Sequence, residues 1–320
     1  MKIVRWATLA AAAAALAAPA AAQTISIGTS PVGSLNNSVG SALGKVLGDE
    51  YGLRTRVVPY GGGQQFLPLI NSKELEMAIP SSTDAQFAFA GKGDFEGKPN
   101  PQLRMIATVF PFYLGYFVKK DAPYKTLADL KGKKIAVGYK ANSAQRRIAE
   151  ALLAVNGVTE GDFNGVPVPH VVRGADDFMQ GTVEATTFAA GAGKVAEADA
   201  KVGGIRYLDN PDDAGALQRL RTQMPSAYVG TVNPSPELAG VVKPTKMVLE
   251  DYTVLTGTQL SNDDAYKVAQ VLYEHQGKLA KIAATWGKYE PAKLSVDRGV
   301  PFHNGAIKYY TEKGIWPPKS

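Results

Sequence analysis

Hydroxyl and amide side chains gather where short apolar strands give way to helices. They do so four times, at Thr29 to Asn37, Gly61 to Gln65, Ser81 to Asp84 and Lys140 to Arg146. The first run holds Thr29, Ser30, Gly33, Ser34 and Asn36, and the second Gly62 and Gln64. The third holds Ser81 and Ser82, and the fourth Asn142, Ser143, Ala144, Gln145 and Arg146. Such groups do not supply a nucleophile with its base; they hold a ligand by hydrogen bonds. A helix start adds unpaired N–H groups and a partial positive charge, which suits an anion. Arg146 is the expected bidentate clamp on a carboxylate, with Asn142 and Ser143 beside it. Arg173, at the end of an expected strand, is a second candidate cation, and Thr187 adds a neutral hydrogen bond. Helix capping explains each loop taken singly. Four such loops along one edge of an open sheet point to a ligand cleft.

Catalytic signatures are missing. The chain contains no G-x-S-x-G, no H-E-x-x-H and no phosphate-binding P-loop. Its three histidines, His170, His275 and His303, lie far apart in sequence and read as structural or surface residues rather than metal ligands. The acidic pairs Asp176-Asp177, Asp212-Asp213 and Asp263-Asp264 fall at expected helix starts, where they answer the helix dipole. No cofactor and no metal is expected.

Met1 to Ala22 reads as an export leader: Lys2 and Arg5, then the apolar Thr8 to Ala18, then Ala20-Ala21-Ala22 before Gln23. Cleavage near Ala22 and a periplasmic location are expected. The formal charge of +6 becomes +4 once Lys2 and Arg5 are removed, too small and too dispersed to imply nucleic acid. With no cysteine there is neither a disulfide framework nor a lipidated N-terminal thiol. A soluble, unanchored monomer is expected.

The elements that must carry the loops alternate as strand and helix in two series. The first includes strands at Thr24–Gly28, Arg54–Val58, Met77–Ile79, Leu103–Val109 and Tyr113–Val118. The second starts at Thr126 and includes strands at Lys134–Val137, Val168–Val172 and Val183–Phe188. Met224 to Lys243 is expected to be irregular, and Lys246 to Leu255 to return to the first sheet as a strand. The expected fold class is therefore α/β, with two domains and a ligand cleft between them. Residues 23–119 and 243–320 form domain 1, and residues 120–242 form domain 2.

Several stretches carry a resemblance to a known family. They are Ile27-Gly28-Thr29 through Gly40-Ser41-Ala42-Leu43, Leu127 to Gly138, Gly181-Thr182-Val183-Glu184-Ala185, and His303-Asn304-Gly305-Ala306 with Tyr309-Tyr310. In that order they resemble the TAXI family, the TRAP-associated extracytoplasmic immunogenic receptors. The resemblance implies a periplasmic binding protein of type II-like fold. It would capture a small carboxylate-bearing solute, an organic acid or amino acid, and deliver it to integral membrane subunits of an ion-gradient-driven TRAP transporter. Alternatives on the same fold are a receptor for an ABC or tripartite tricarboxylate transporter, and a periplasmic enzyme. One departure stands out: Leu35-Asn36-Asn37 replaces the aromatic pair that usually covers the ligand in that family.

Overall fold

Ile25 and Ile27, both buried, set β1 (Ile25–Thr29) inside a sheet. The computed structural model describes residues 24–317, so the expected leader and its cleavage point lie outside the described residues. After β1 come α1 (Leu35–Tyr51), β2 (Thr55–Pro59), α2 (Gly63–Asn71), β3 (Met77–Ala78) and α3 (Ser82–Ala90). Helix α1 buries Val39, Leu43, Val46 and Leu47 along one face and stops at Gly52, whose φ of 63° a side chain would resist. β1 lies between β2 and β3, parallel to both, so the loops after these strands leave the sheet along one edge.

The chain continues through β4 (Leu103–Lys119), β5 (Lys134–Gly138), α4 (Ser143–Val155), β6 (Asn164–Val168), α5 (Val171–Met179) and β7 (Thr186–Ala189). Then follow α6 (Gly193–Val202), β8 (Ile205–Tyr207), α7 (Ala214–Gln223), β9 (Tyr228–Val232), β10 (Thr245–Gly257), α8 (Asn262–Glu274), α9 (Gln276–Ile282) and α10 (Asn304–Glu312). The main sheet runs β2-β1-β3-β10-β4-β7, with β8 on β4 and β9 on β10, while β5 and β6 form a parallel pair.

Two long antiparallel strands, β4 and β10, hold this sheet together. The end of β10, at Leu255 and Thr256, pairs with β3, and its start, Thr245 to Leu249, pairs with β9. The far half of β4 pairs with β7 and β8. Each strand thus begins among one set of elements and ends among the other.

The structure corrects several expectations. The two strands expected at Leu103–Val109 and Tyr113–Val118 are one, because Pro111 sits opposite Asp251, where the register shifts and a missing N–H interrupts little. The strand expected at Val168–Val172 ends at Val168. His170 caps a helix there, its ring nitrogen accepting from Arg173 N, so Arg173 lies in the first turn of α5 rather than on a strand. Met224 to Lys243 is not wholly irregular, since it contains β9.

Helix α1, which presents the first polar loop, is pinned from behind by Trp286. The indole is fully buried, donates to Val39 O at 3.1 Å and packs edge-on to Phe110 with ring centroids 5.0 Å apart. Trp286→Ala should therefore cost about 3–5 kcal/mol, read as a fall in the urea unfolding free energy.

Candidate functional site

The first polar loop is built largely by its own amides. Ser34 caps α1, its hydroxyl accepting from Asn37 N at 3.1 Å. Asn36 Oδ1 accepts from Ser30 N at 2.6 Å, and Asn36 Nδ2 donates to Ile79 O at the end of β3. Asn37 Nδ2 donates to Thr29 Oγ1 at 3.0 Å. Ser81 caps α3 by accepting from Asp84 N, and Asn142 caps α4 by accepting from Gln145 N at 2.9 Å. Each cap serves the third amide of its helix, so the first two amides keep no intrahelical partner.

The second and fourth loops touch. Gln64 Nε2 donates to Ala141 O at 2.6 Å. A Cβ on Gly61 would stand 2.7 Å from that same carbonyl oxygen, and one on Gly62 would stand 2.8 Å from Asn142 Oδ1. Glycine is required at Gly61 by the close approach of the Ala141 backbone and favoured at Gly62 by the Asn142 and Gln64 side chains, not by turn geometry.

Between these loops lies a slot of about 80 Å³. Of the residues singled out in the sequence, Ser30, Ser34, Asn36, Ser81, Asn142, Ala144 and Gln145 line it. Thr29, Gly33, Gly62, Gln64, Ser82, Ser143 and Thr187 stand outside its lining; Thr29 and Thr187 are wholly buried. Both candidate cations also stand outside. Arg146 is half exposed and faces Asp94 at 3.7 Å and Glu150 at 3.9 Å, while Arg173 is half exposed and paired with Asp177 at 2.9 Å. Arg146, the expected clamp, stands about 100° around α4 from the buried Arg147 and faces Asp94 and Glu150.

The sequence reading missed the walls. Phe66 from α2, Phe112 and Leu114 from β4, Ile148 from α4, Val171 from α5, Phe188 and Ala189 from β7, and Tyr252 from β10 supply apolar surface, with Leu35, Gly63 and Pro80 beside them. Phe112 and Tyr252 stack with centroids 4.4 Å apart. Phe112 and Tyr252 sit on the paired long strands; the return of Lys246–Leu255 to the first sheet is expected from the sequence, but not the register that brings these two rings together. Asp84 was seen only as the end of a polar loop. It lines the slot and pairs with Arg147, which also pairs with Asp94 and lies over the Phe87 ring at 5.3 Å.

Arg147 is only 10% exposed. Burial pushes the Asp84 carboxyl above its ordinary range against the pull of the Arg147 guanidinium. Behind it, Glu250 of β10 is buried and accepts from Thr83 N at 3.0 Å. Burial pushes its carboxyl up to about 7 from 4.5, although the bond from Thr83 pulls the other way. Among the described residues, no group of three or more acidic or histidine side chains is placed to hold a metal ion.

The raised Glu250 carboxyl gives a signed pH dependence. Between pH 4.5 and 7 the folded protein holds this proton more tightly than the unfolded chain does. Its contribution is full below 4.5 and is lost as pH rises through 7, an effect on the order of 3 kcal/mol. Glu250→Gln keeps an acceptor for Thr83 N and should remove that slope, checked by urea unfolding on both sides of the window.

The fold has known counterparts. A structure described as a periplasmic transporter superposes with a TM-score of 0.58 at 13% identity, over 94% of this chain and 95% of that one. PhnD1 from Prochlorococcus marinus, in complex with methylphosphonate, gives 0.54 at 12% identity over 91% and 96%. AbpA from Streptococcus pneumoniae, an amino acid ABC transporter substrate-binding protein bound to L-arginine, gives 0.50 at 16% identity over 83% and 95%. At such identities the likeness speaks for the fold: the expected α/β class, two domains of periplasmic binding protein type around a cleft. Residues 27–314 match a sequence family as well, and on that match the chain belongs to the NMT1-like family.

Proposed function

We propose that this protein is a periplasmic receptor that closes its two domains over a small solute and hands it to a membrane transporter. One observation carries the reading: polar helix starts from both sets of elements converge on one partly apolar slot. Binding free energy, rather than covalent chemistry, does the work, because a solute that prefers the closed form draws the domains together. The proposed domains are residues 23–119 with 243–320, and residues 120–242, in keeping with the way β4 and β10 change neighbours along their length. A carboxylate is the natural group to meet the first turns of α1 and α4, with Ser30, Ser34, Asn142 and Gln145 as the nearest polar side chains.

The periplasmic location rests on the leader-like N-terminus. No helix among the described residues is long and apolar enough to cross a membrane. For the transporter, the TAXI-like stretches favour an ion-gradient-driven TRAP system. The likeness to AbpA favours a second reading in which the partner is an ABC transporter. Uptake in reconstituted vesicles separates the two: a sodium or proton gradient alone should suffice for the first, whereas ATP hydrolysis should be needed for the second.

Native mass spectrometry of gently purified protein should reveal a co-purified small molecule, and removing it should enlarge the radius of gyration in solution scattering. Absence of any bound solute, together with an unchanged radius on adding candidate solutes, would count against the receptor. Gly61→Ala tests closure directly, since its Cβ would meet the Ala141 carbonyl where the second and fourth loops touch. It should weaken solute binding by about 1–3 kcal/mol, seen by calorimetry, while leaving unfolding by urea nearly unchanged.

A further inference from the structure

The slot is lined by no lysine or arginine among the described residues, and the one acidic side chain in its lining is Asp84. The nearest buried cation, Arg147, is already held between Asp84 and Asp94. Asp94 also has Arg146 at 3.7 Å, and Arg146 has Glu150 at 3.9 Å, so both guanidinium groups already face carboxylates without a solute. What the slot does offer is an uncharged donor. Gln145 is 7% exposed, lines the slot, and its Nε2 has no hydrogen-bond partner among the described residues. It stands at the third position of α4, a helix of 13 residues, where the first two amides are also free of intrahelical bonds. A buried donor left unpaired is costly, and a solute acceptor would relieve it.

Resting on the receptor reading above, we propose that Gln145 reads the solute, and that the slot selects solutes carrying at most one negative charge. A single carboxylate or a neutral amide oxygen meets Gln145 Nε2 and the start of α4. Its apolar body lies against Phe66, Phe112, Ile148 and Phe188. A second carboxylate would have to leave water with no cation to receive it and with Asp84 in the same wall, a cost that no contact in the slot offsets. Specificity then comes from this penalty as much as from attraction.

The test uses the mature chain and three probes of similar size: 4-methylpentanoate, its amide, and glutarate. Calorimetry should find binding of the monocarboxylate or the amide, with glutarate weaker by about 100-fold or more. Gln145→Leu should weaken the preferred probe about 10-fold or more. Gln145→Glu should abolish binding of the monocarboxylate, because it sets like charges together. Thermal unfolding of the solute-free variants reports whether each still folds, and Gln145→Ser serves as a milder replacement if leucine disturbs the helix start. Glutarate binding as tightly as the other probes, no binding of either singly charged or neutral probe, or unchanged binding in Gln145→Leu would each overturn the proposal. A co-purified dicarboxylate would overturn it too, while leaving the receptor reading intact.

Discussion

A guanidinium cannot shed its proton inside a protein, so wherever the fold buries one it must also supply carboxylates. Arg147 imposes that condition here. Its partners, Asp84 in the first turn of α3 and Asp94 just beyond that helix, come from the chain before β4, whereas Arg147 belongs to a helix after it. The ion pairs therefore fix α4 against α3. With α4 fixed, Asn142 and Ala141 lie against Gly61, Gly62 and Gln64, and Asn142, Ala144 and Gln145 are held in the slot's lining. Glu250 adds to the arrangement by taking Thr83 N, a backbone group beside Asp84. Removing one member would leave the others buried without compensation, which is a larger loss than the net worth of the pair.

The other constraint is backbone pairing. β4 and β10 are paired from Leu103 with Gly257 to Leu114 with Val248, with shifts of register between Asp251 and Thr253 and between Val254 and Leu255. Those shifts lie near Pro111 and Tyr252, where the strands pass beneath the slot. A bulge bends a strand and raises its local twist, so this is where the ladder yields most readily. A closing motion that hinges there leaves the regular pairing on either side intact. It also moves Phe112 and Tyr252, which are stacked on each other at the slot wall.

Much of the fold was legible because the apolar periods are regular. The strand at Lys246–Leu255, the face of α1 and the Ser261 cap of α8 all lie where the pattern puts them. The register of α4 was legible too, but was misread. Arg147, Ala151 and Val155 recur at four-residue spacing and are all buried, whereas Arg146 and Glu150 share the outer face and meet at 3.9 Å. Extending the apolar stripe back by one turn reaches Arg147, and an arginine on a buried stripe signals a buried ion pair. α5 was harder: a histidine is an uncommon cap, and Val171-Val172 have strand propensity, so local preference pointed away from the helix that packing and the cap produce. The aromatic walls were harder to read, since Phe66, Phe112, Phe188 and Tyr252 come from four elements and meet only through tertiary packing.

Asn36 and Asn37 show how a residue type can be read correctly for its chemistry and wrongly for its target. Asn36 is expected to contact the solute, and Asn36-Asn37 stands where the family usually has an aromatic pair. Asn36 does line the slot, yet its oxygen is taken by Ser30 N and its nitrogen by Ile79 O. Asn37 is taken by Thr29. These bonds tie the loop to itself and, through Ile79 O, to the chain after β3, and their effect on a solute is to hold Ser30, Ser34 and the start of α1 in place. The apolar cover then has to come from elsewhere, and Phe66, Phe112 and Phe188 provide it from three different elements. Gln145 differs from both asparagines in one respect that matters for recognition: its donor is buried and has no partner among the described residues. An amide already bonded to its own loop shapes a site, and an amide left waiting inside one defines what can enter.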